Sequence, residues 1–219
     1  LQEKPLCRSD AEAQAISAAV AHAGKVFQVG YEVRSSAFHR SIMEHVRRGD
    51  RGTLTNIWYN QHTLDKHAPN EWRASRANMG GKLFDCAVHY LDLMQQWAGA
   101  PVSRLVCLGN LQGVTGPQAD DLPQVAAIAI EYANGVRGTF NFGAVNRLND
   151  DSSFGLTGTT GRIQGNPWLP EGAGSYELRR DCGIRKSQVV FDGKLTSTGH
   201  LGFKEQFSAF VATVCHGAP

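Results

Sequence analysis

Two extended stretches joined by Asn134-Gly135 give the clearest indication of how this chain folds. Residues 125–133 and 136–144 flank the dipeptide, and Asn-Gly is the sequence best suited to a tight turn between antiparallel strands. A further pair of strands is predicted around Thr159-Thr160-Gly161. Consecutive hairpins predict a largely antiparallel open sheet with helices on one face. The strands outside the central hairpin are predicted at residues 154–158, 162–164, 102–111, 176–180 and 188–191, and a final helix at 203–215.

The beginning of the chain has a different pattern. Ser9 followed by Glu12 is a capping box, and small apolar residues then recur at helical spacing, so residues 10–23 are predicted to form a helix. Residues 26–31 are predicted to form a strand. A helix followed directly by a strand is typical of the end of an alternating α/β domain.

A second unit is predicted from about residue 34 onward. A helix with an apolar face runs from there to Gly49, and residues 53–61 are predicted to form a strand. We therefore predict a domain boundary near residue 33, between a short α/β remnant at 1–33 and an α+β domain at 34–219. The chain begins with Leu1, and we interpret it as an internal piece of a longer protein.

Composition restricts the class of protein. The 219 residues are 42% hydrophobic, enough to bury a substantial core, and 22 basic side chains nearly balance 20 acidic ones. This balance argues against nucleic acid or an anionic membrane as the partner. The five cysteines are scattered, which favours neither a disulfide framework nor a metal site and fits a reducing cytoplasm. No apolar run reaches the length of a membrane span.

The segment from Gly80-Gly81 to Asp92 carries the candidate chemistry. Asp85 and His89 are four residues apart on a predicted helix, so an acid and a base lie on one face. An imidazole titrates near neutral pH and can serve as a general base. Two other interpretations remain open on spacing alone. His89 could be a hydrogen-bonded core residue, and Asp85 could be a charge favoured by the start of the helix.

Several motifs together resemble the glucose-fructose oxidoreductase and inositol dehydrogenase family (Gfo/Idh/MocA). No single motif is specific for the family, but the whole set in this order along the chain is specific. The motifs are Glu3-Lys4-Pro5, Gly30-Tyr31-x-x-Arg34, the glycine pair with Asp85-x-x-x-His89-x-x-Asp92, Trp97-Ala98-Gly99, Asp121 before the central hairpin, Gly158-x-x-Gly161 and Phe207-x-x-Phe210.

The resemblance implies a two-domain enzyme. A Rossmann domain would bind NAD or NADP, and a second domain, built on an open sheet, would cover the substrate and form a homo-oligomer. Residues 1–33 would then be the end of the Rossmann domain. The glycine-rich phosphate turn of such domains is not in this sequence, so we expect no activity from the 219 residues alone.

The resemblance also implies roles for single residues. Lys4 would lie beside the nicotinamide and reach the reacting hydroxyl, Asp85 would orient substrate and base, and His89 would accept the proton. The cofactor would be contacted by Glu3, Lys4 and Pro5, and the substrate by Arg34, His62, Trp72 and Arg73, with His67 in the same segment. Asp92 is expected to pair behind His89.

The function implied is hydride transfer between NAD(P) and a secondary hydroxyl of a sugar, inositol or related polyol. The alternatives are a glycosidase that uses bound NAD for transient oxidation, and a non-catalytic sugar-binding or oligomerisation module. Two departures from the family pattern bear on the substrate. Lys82 stands where a third glycine is common, and Ala87 stands where glycine is usual. Lys82 is expected to crowd or recharge the pocket.

Overall fold

The computed structural model describes residues 1–63, 72, 76–112, 124–145, 152–167, 173–183, 186–196 and 202–217. In these residues the chain forms a two-stranded sheet, an eight-stranded sheet and five α-helices, with a 3-10 turn at Glu32–Ser35 and a π-helical turn at Leu83–Ala87. The α-helices are α1 (Asp10–Ala23), α2 (Ala37–Arg48), α3 (Arg76–Met79), α4 (Val88–Ala98) and α5 (Phe203–His216).

The large sheet confirms the prediction of a mostly antiparallel open sheet. Its strands are β3 (Leu54–His62), β4 (Val102–Asn110), β5 (Val125–Tyr132), β6 (Arg137–Gly143), β7 (Phe154–Gly158), β8 (Gly161–Asn166), β9 (Ala173–Gly183) and β10 (Lys186–Thr196). Their order is β10-β9-β8-β7-β3-β6-β5-β4, and every neighbouring pair is antiparallel except β3 and β6, which run parallel. The Asn134-Gly135 turn joins β5 to β6 as predicted, with Gly135 at φ +88°.

Helices α2 and α4 cover one face of the sheet. Tyr59 of β3 is fully buried and lies against Tyr90 and Trp97 of α4, with ring centroids 4.6 and 6.3 Å apart. Phe38 of α2 meets Tyr176 of β9 edge to face at 5.6 Å. Burial of these aromatic side chains is the main stabilising contribution to the layer. The packing holds α4, and hence His89, at a fixed position above β3.

Helix boundaries agree with their capping signals. Ser9 Oγ accepts a hydrogen bond from the backbone N–H of Glu12 at the start of α1, and Ser36 Oγ accepts one from His39 at the start of α2. Gly49 ends α2 in the left-handed conformation (φ +68°), which a residue without Cβ adopts at low cost. The predicted helices at 10–23 and 203–215 are confirmed.

Two predictions near the start of the chain need correction. The strand expected at 26–31 is only β2 (Val29–Gly30), which pairs in parallel with β1 (Gln2–Glu3). Val26 and Phe27 are exposed and outside the ladder, because β1 offers only two residues to pair with. The strand predicted at 53–61 is β3 (Leu54–His62), so His62, which follows the predicted strand, is its last residue. No helix in the described part of the chain is long and apolar enough to cross a membrane.

Candidate active site

An ion pair between Lys4 and Asp85 lies at the centre of the candidate site. Lys4 follows β1, and its Nζ donates to Asp85 Oδ1 at 2.7 Å and to the backbone carbonyl of Asp85 at 2.5 Å. Their side chains are only 11% and 7% exposed. An ammonium has three donors, so one donor of Lys4 remains after these two bonds. The tertiary fold therefore brings together two predicted catalytic residues that are 81 positions apart.

The glycine pair sets the entry into the helix that carries Asp85. Gly80 and Gly81 have φ of +75° and +97°, values that L side chains rarely adopt. A Cβ on Gly80 would also lie 3.3 Å from the ring of Phe84. After the pair the backbone takes one π-helical turn, a local widening that is frequent at functional sites. Asp85 lies within that first turn, where the start of a helix favours a negative charge, and its side chain is buried.

Lys82 is the second ammonium on Asp85. Its Nζ lies 3.4 Å from Asp85 Oδ2, while Lys4 holds Oδ1, and the Lys82 side chain is 9% exposed. The spacing of three residues on a helix could have indicated this pair from the sequence. Lys82 thus adds a positive charge at the aspartate, in the place where the family pattern favours glycine.

His89 is held neutral beside this cluster. It is the second residue of α4 and is buried, and burial together with the positive charge of Lys4 lowers the pKa of His89 to about 4, against the opposing effect of Asp85. A neutral imidazole can accept a proton at pH 7. Its Nδ1 is buried with no hydrogen-bond partner. His89 is therefore unlike the hydrogen-bonded core histidine considered as an alternative.

Glu32 is a component of the site that the sequence interpretation missed. It is 4% exposed, and its Oε1 lies 3.7 Å from His89 Nε2. Burial raises the pKa of Glu32, the charge of Glu3 raises it further, and Lys4 opposes both. The one available signal was an acidic residue inside the Gly30-Tyr31-x-x-Arg34 motif, and nothing local shows that it is buried.

Arg34 joins the 3-10 turn to α4. Its guanidinium binds both carboxylate oxygens of Asp92, with Nε to Oδ2 at 2.6 Å, and lies over the ring of Tyr31 at 5.2 Å. These bonds to Asp92 raise the pKa of Arg34. Tyr31 in turn meets His89 edge to face at 6.3 Å. Asp92 therefore pairs one helical turn behind His89, and the predicted contact of Arg34 with substrate stays a prediction.

The other residues predicted to contact cofactor or substrate differ in burial and location. Glu3 is exposed and Pro5 is half-buried, on either side of Lys4. His62 alternates with Gln61 along β3, so its ring lies on the sheet face away from α4, close to Gly143. Trp72 is 62% exposed, and its carbonyl accepts a hydrogen bond from Asn78. Arg73 and His67 lie outside the described residues. No cluster of three metal-ligating side chains occurs in the described ranges.

The described residues fit the reacting end of a nicotinamide cofactor. Ligands of α/β sheets bind beyond the carboxyl ends of the strands, and Lys4 lies at that end of β1. Beside it are one remaining Lys4 donor and the buried, unpartnered Nδ1 of His89. The contact of Glu3, Lys4 and Pro5 with the cofactor stays a prediction.

The chain has a short βαβ unit followed by an open, mostly antiparallel sheet with helices on one face. Solved oxidoreductase structures share this architecture. GenD2 from gentamicin A biosynthesis, solved in complex with NAD, superposes with a TM-score of 0.77 over 99% of this chain and 62% of its own, at 20% identity. Levoglucosan dehydrogenase, in complex with NADH and L-sorbose, gives a TM-score of 0.77 over 99% and 64%, also at 20% identity. At these identities the likeness establishes the fold.

Sequence comparison gives the family. A model described as the GFO/IDH/MocA C-terminal domain matches residues 39–164, more than half of the chain, and the chain therefore belongs to the Gfo/Idh/MocA family. Scyllo-inositol 2-dehydrogenase (NAD(+)) of Bacillus subtilis is 29% identical over 74% of this chain and 46% of its own length. Levoglucosan dehydrogenase of Pseudarthrobacter phenanthrenivorans is 26% identical over 74% and 47%. The chain thus spans less than half the length of either relative.

Proposed function

We propose that the protein to which this chain belongs is an NAD(P)-dependent oxidoreductase that acts on a secondary hydroxyl of a sugar, inositol or related polyol. The observation that carries the proposal is the buried Lys4–Asp85 pair with neutral His89 beside it. The named activities of the two dehydrogenase relatives support the substrate class.

His89 is the proton acceptor in this proposal. Oxidation of a secondary alcohol releases a hydride from carbon and a proton from oxygen, and bound NAD(P) would supply the hydride acceptor. The proton passes to His89, which is uncharged before the reaction because burial and Lys4 disfavour its cationic form. A positioned base of this kind contributes about 10²- to 10⁴-fold to the rate.

Lys4 stabilises the charge that develops on the reacting oxygen. Two of its donors are fixed by Asp85, which orients the ammonium, and the third can donate to the substrate. Little reorganisation is then required during the reaction, which is the condition under which electrostatic stabilisation is most effective. Asp85 acts through Lys4, and Lys82 holds its other oxygen.

The test uses the complete protein. NAD and NADP are each supplied with a panel of cyclitols and aldoses, and reduction of the cofactor is followed by its ultraviolet absorbance. His89→Ala should lower kcat by about 10²- to 10⁴-fold. Lys4→Met should lower it by about 10²- to 10³-fold. His22→Ala and Lys25→Met, at exposed positions, are the matched controls. Unchanged turnover in His89→Ala would exclude it as the base.

The same assay, with an aryl glycoside added to the panel, separates the alternative functions. A glycosidase that uses transient oxidation would cleave an aryl glycoside without net reduction of the cofactor. A sugar-binding module would bind the ligand saturably, without turnover. Either result would replace the dehydrogenase proposal.

We further propose that the protein is a homo-oligomer that uses the exposed side of the large sheet. The edge strand β4 supports this, since Val106 and Leu108 lie on one face of the strand, beside the exposed Ala129 and Ala127 of β5, and are 55% and 74% exposed. Exposed apolar side chains in a group are typical of interaction surfaces. Light scattering should give a lower mass for Val106→Lys/Leu108→Lys than for the unmodified protein, and an unchanged mass would contradict the assignment of β4.

A further inference from the structure

Glu32 is an acidic residue whose side chain is buried. It lies in the 3-10 turn between β2 and α2, with 4% of its surface exposed. The start of α5 packs on this turn, where a Cβ on Gly202 would lie 2.6 Å from the carbonyl oxygen of Glu32. Gln206 of α5 donates to the carbonyl of Val29 at 3.3 Å. The turn is therefore held on one side by α5, and the Glu32 carboxyl is directed into the protein.

One atom of this carboxyl and one atom of the His89 ring have no hydrogen-bond partner. They are Oε2 of Glu32 and Nδ1 of His89, both buried. Leaving a buried polar group unsatisfied costs about 1–3 kcal/mol. Oε1 and His89 Nε2 are 3.7 Å apart, beyond a hydrogen bond but within the range that closes when a ligand organises a site. Among the described acidic side chains, only Glu32 is this close to the ring.

We propose that Glu32 is the positioning residue for His89: its carboxylate accepts the Nε2–H and so fixes the tautomer whose bare Nδ1 receives the substrate proton. The assignment of that proton rests on the proposed function. Nδ1 is buried, so the proposal requires that substrate binding exposes it. On transfer, the hydroxyl proton is bound at Nδ1 and the imidazolium keeps its Nε2–H on Glu32. A carboxylate that orients an imidazole and stabilises its cation is the arrangement found in hydrolytic triads.

The charged groups around the pair come from several elements. Lys4 and Glu3 approach from the end of β1, Asp85 from the π-helical turn, and Tyr31 from the residue before the 3-10 turn. Lys4 and burial keep His89 uncharged, so its ring carries one proton and must adopt one of two tautomers. Lys4 also favours the charged form of Glu32, against burial and Glu3.

The experiment reads the tautomer directly. The complete protein is labelled with ¹⁵N-histidine, and the side-chain nitrogen shifts of His89 are recorded at neutral pH, first without ligand and then with NAD. The signal is assigned by its loss in His89→Gln. Wild type should show the Nε2-protonated tautomer. Glu32→Met, which keeps the length without an acceptor, should show a mixture of both tautomers. Glu205→Met, exposed on α5, should match wild type.

A second variant and a kinetic measurement complete the test. Glu32→Gln keeps size and polarity, but its amide can also donate to the ring, so the population of the Nε2-protonated form should fall there too. In turnover, Glu32→Met should lower kcat about 10-fold or more with little change in KM, because it disturbs the base and not the binding of substrate.

The outcomes separate this inference from the proposed function. A single unchanged tautomer in folded Glu32→Met and Glu32→Gln, or an Nδ1-protonated form in wild type, overturns the positioning role even if the enzyme is a dehydrogenase. A tautomer shift in a protein without dehydrogenase activity supports the positioning role and removes the proposed reaction.

Discussion

Removal of the His39 imidazole should weaken the pH dependence of stability. His39 lies in α2, is 4% exposed, and its ring centroid is 6.0 Å from that of Trp97. Burial, with the positive charges of Arg34 and Arg47, lowers the pKa of His39 to about 4. The folded state therefore excludes a proton that the unfolded state binds.

The size of the effect follows from this difference in pKa. A histidine with a depressed folded-state pKa contributes its full stability above the unfolded value of 6.5 and loses it as the pH falls toward 4. The 2.5-unit difference corresponds to roughly 3 kcal/mol, since one unit is about 1.4 kcal/mol. About 2 kcal/mol of this is lost between about pH 7.5 and about pH 5.

The assay is urea unfolding of wild type and His39→Leu across this pH range. Leucine fills similar space without a titrating group. The unfolding free energy of His39→Leu should fall by about 2 kcal/mol less than that of wild type between about pH 7.5 and about pH 5. His22→Leu, at an exposed site of α1, controls for loss of an imidazole. Equal pH slopes in wild type and His39→Leu, with equal m-values, would refute the reasoning.

Three other predictions concern single positions. Ser36→Ala should lower the unfolding free energy by about 1 kcal/mol in urea, because Ser36 caps α2 through the backbone N–H of His39, and no loss would contradict the cap. Gly165→Ala should lower the melting temperature, with a cost of about 1–3 kcal/mol or more, since its Cβ would lie 2.1 Å from the carbonyl oxygen of Ser175. Neighbouring Gln164→Ala is its control, and equal melting of the two would refute the contact. The pH profile of kcat/KM should stay level down to about pH 5, because the pKa of His89 is about 4, and an acid limb near 6.5 would refute this.

The strands and helices were the most predictable part of the protein, because their signals are local. Asn134-Gly135 specifies its turn through φ and ψ alone, and Ser9 and Gly49 bound helices through bonds to their own neighbours. The position of β3 was not predictable in this way. It lies between β6 and β7 and is parallel to β6, a pairing between residues about 80 positions apart that depends on the whole sheet.

The candidate site shows the same division. Spacing placed Asp85 and His89 on one helix face, and the family motif pointed to Lys4. Nothing in the sequence near Glu32 distinguishes it from a solvated acid. It becomes notable only because the 3-10 turn, α4 and α5 exclude water around it. The bond between the Arg34 guanidinium and Asp92 likewise joins residues 58 positions apart, and it could not be read from the sequence near either residue.

The sequence by itself determined the local elements, the antiparallel character of the sheet and the acid and base on one helix. Each depends on turn chemistry, capping or periodicity within a few residues. Only the tertiary structure decided the Lys4–Asp85 bond, the neutral state of His89 and the place of Glu32 beside it. These depend on burial and on charges brought together from distant segments, and both exist only once the chain has folded.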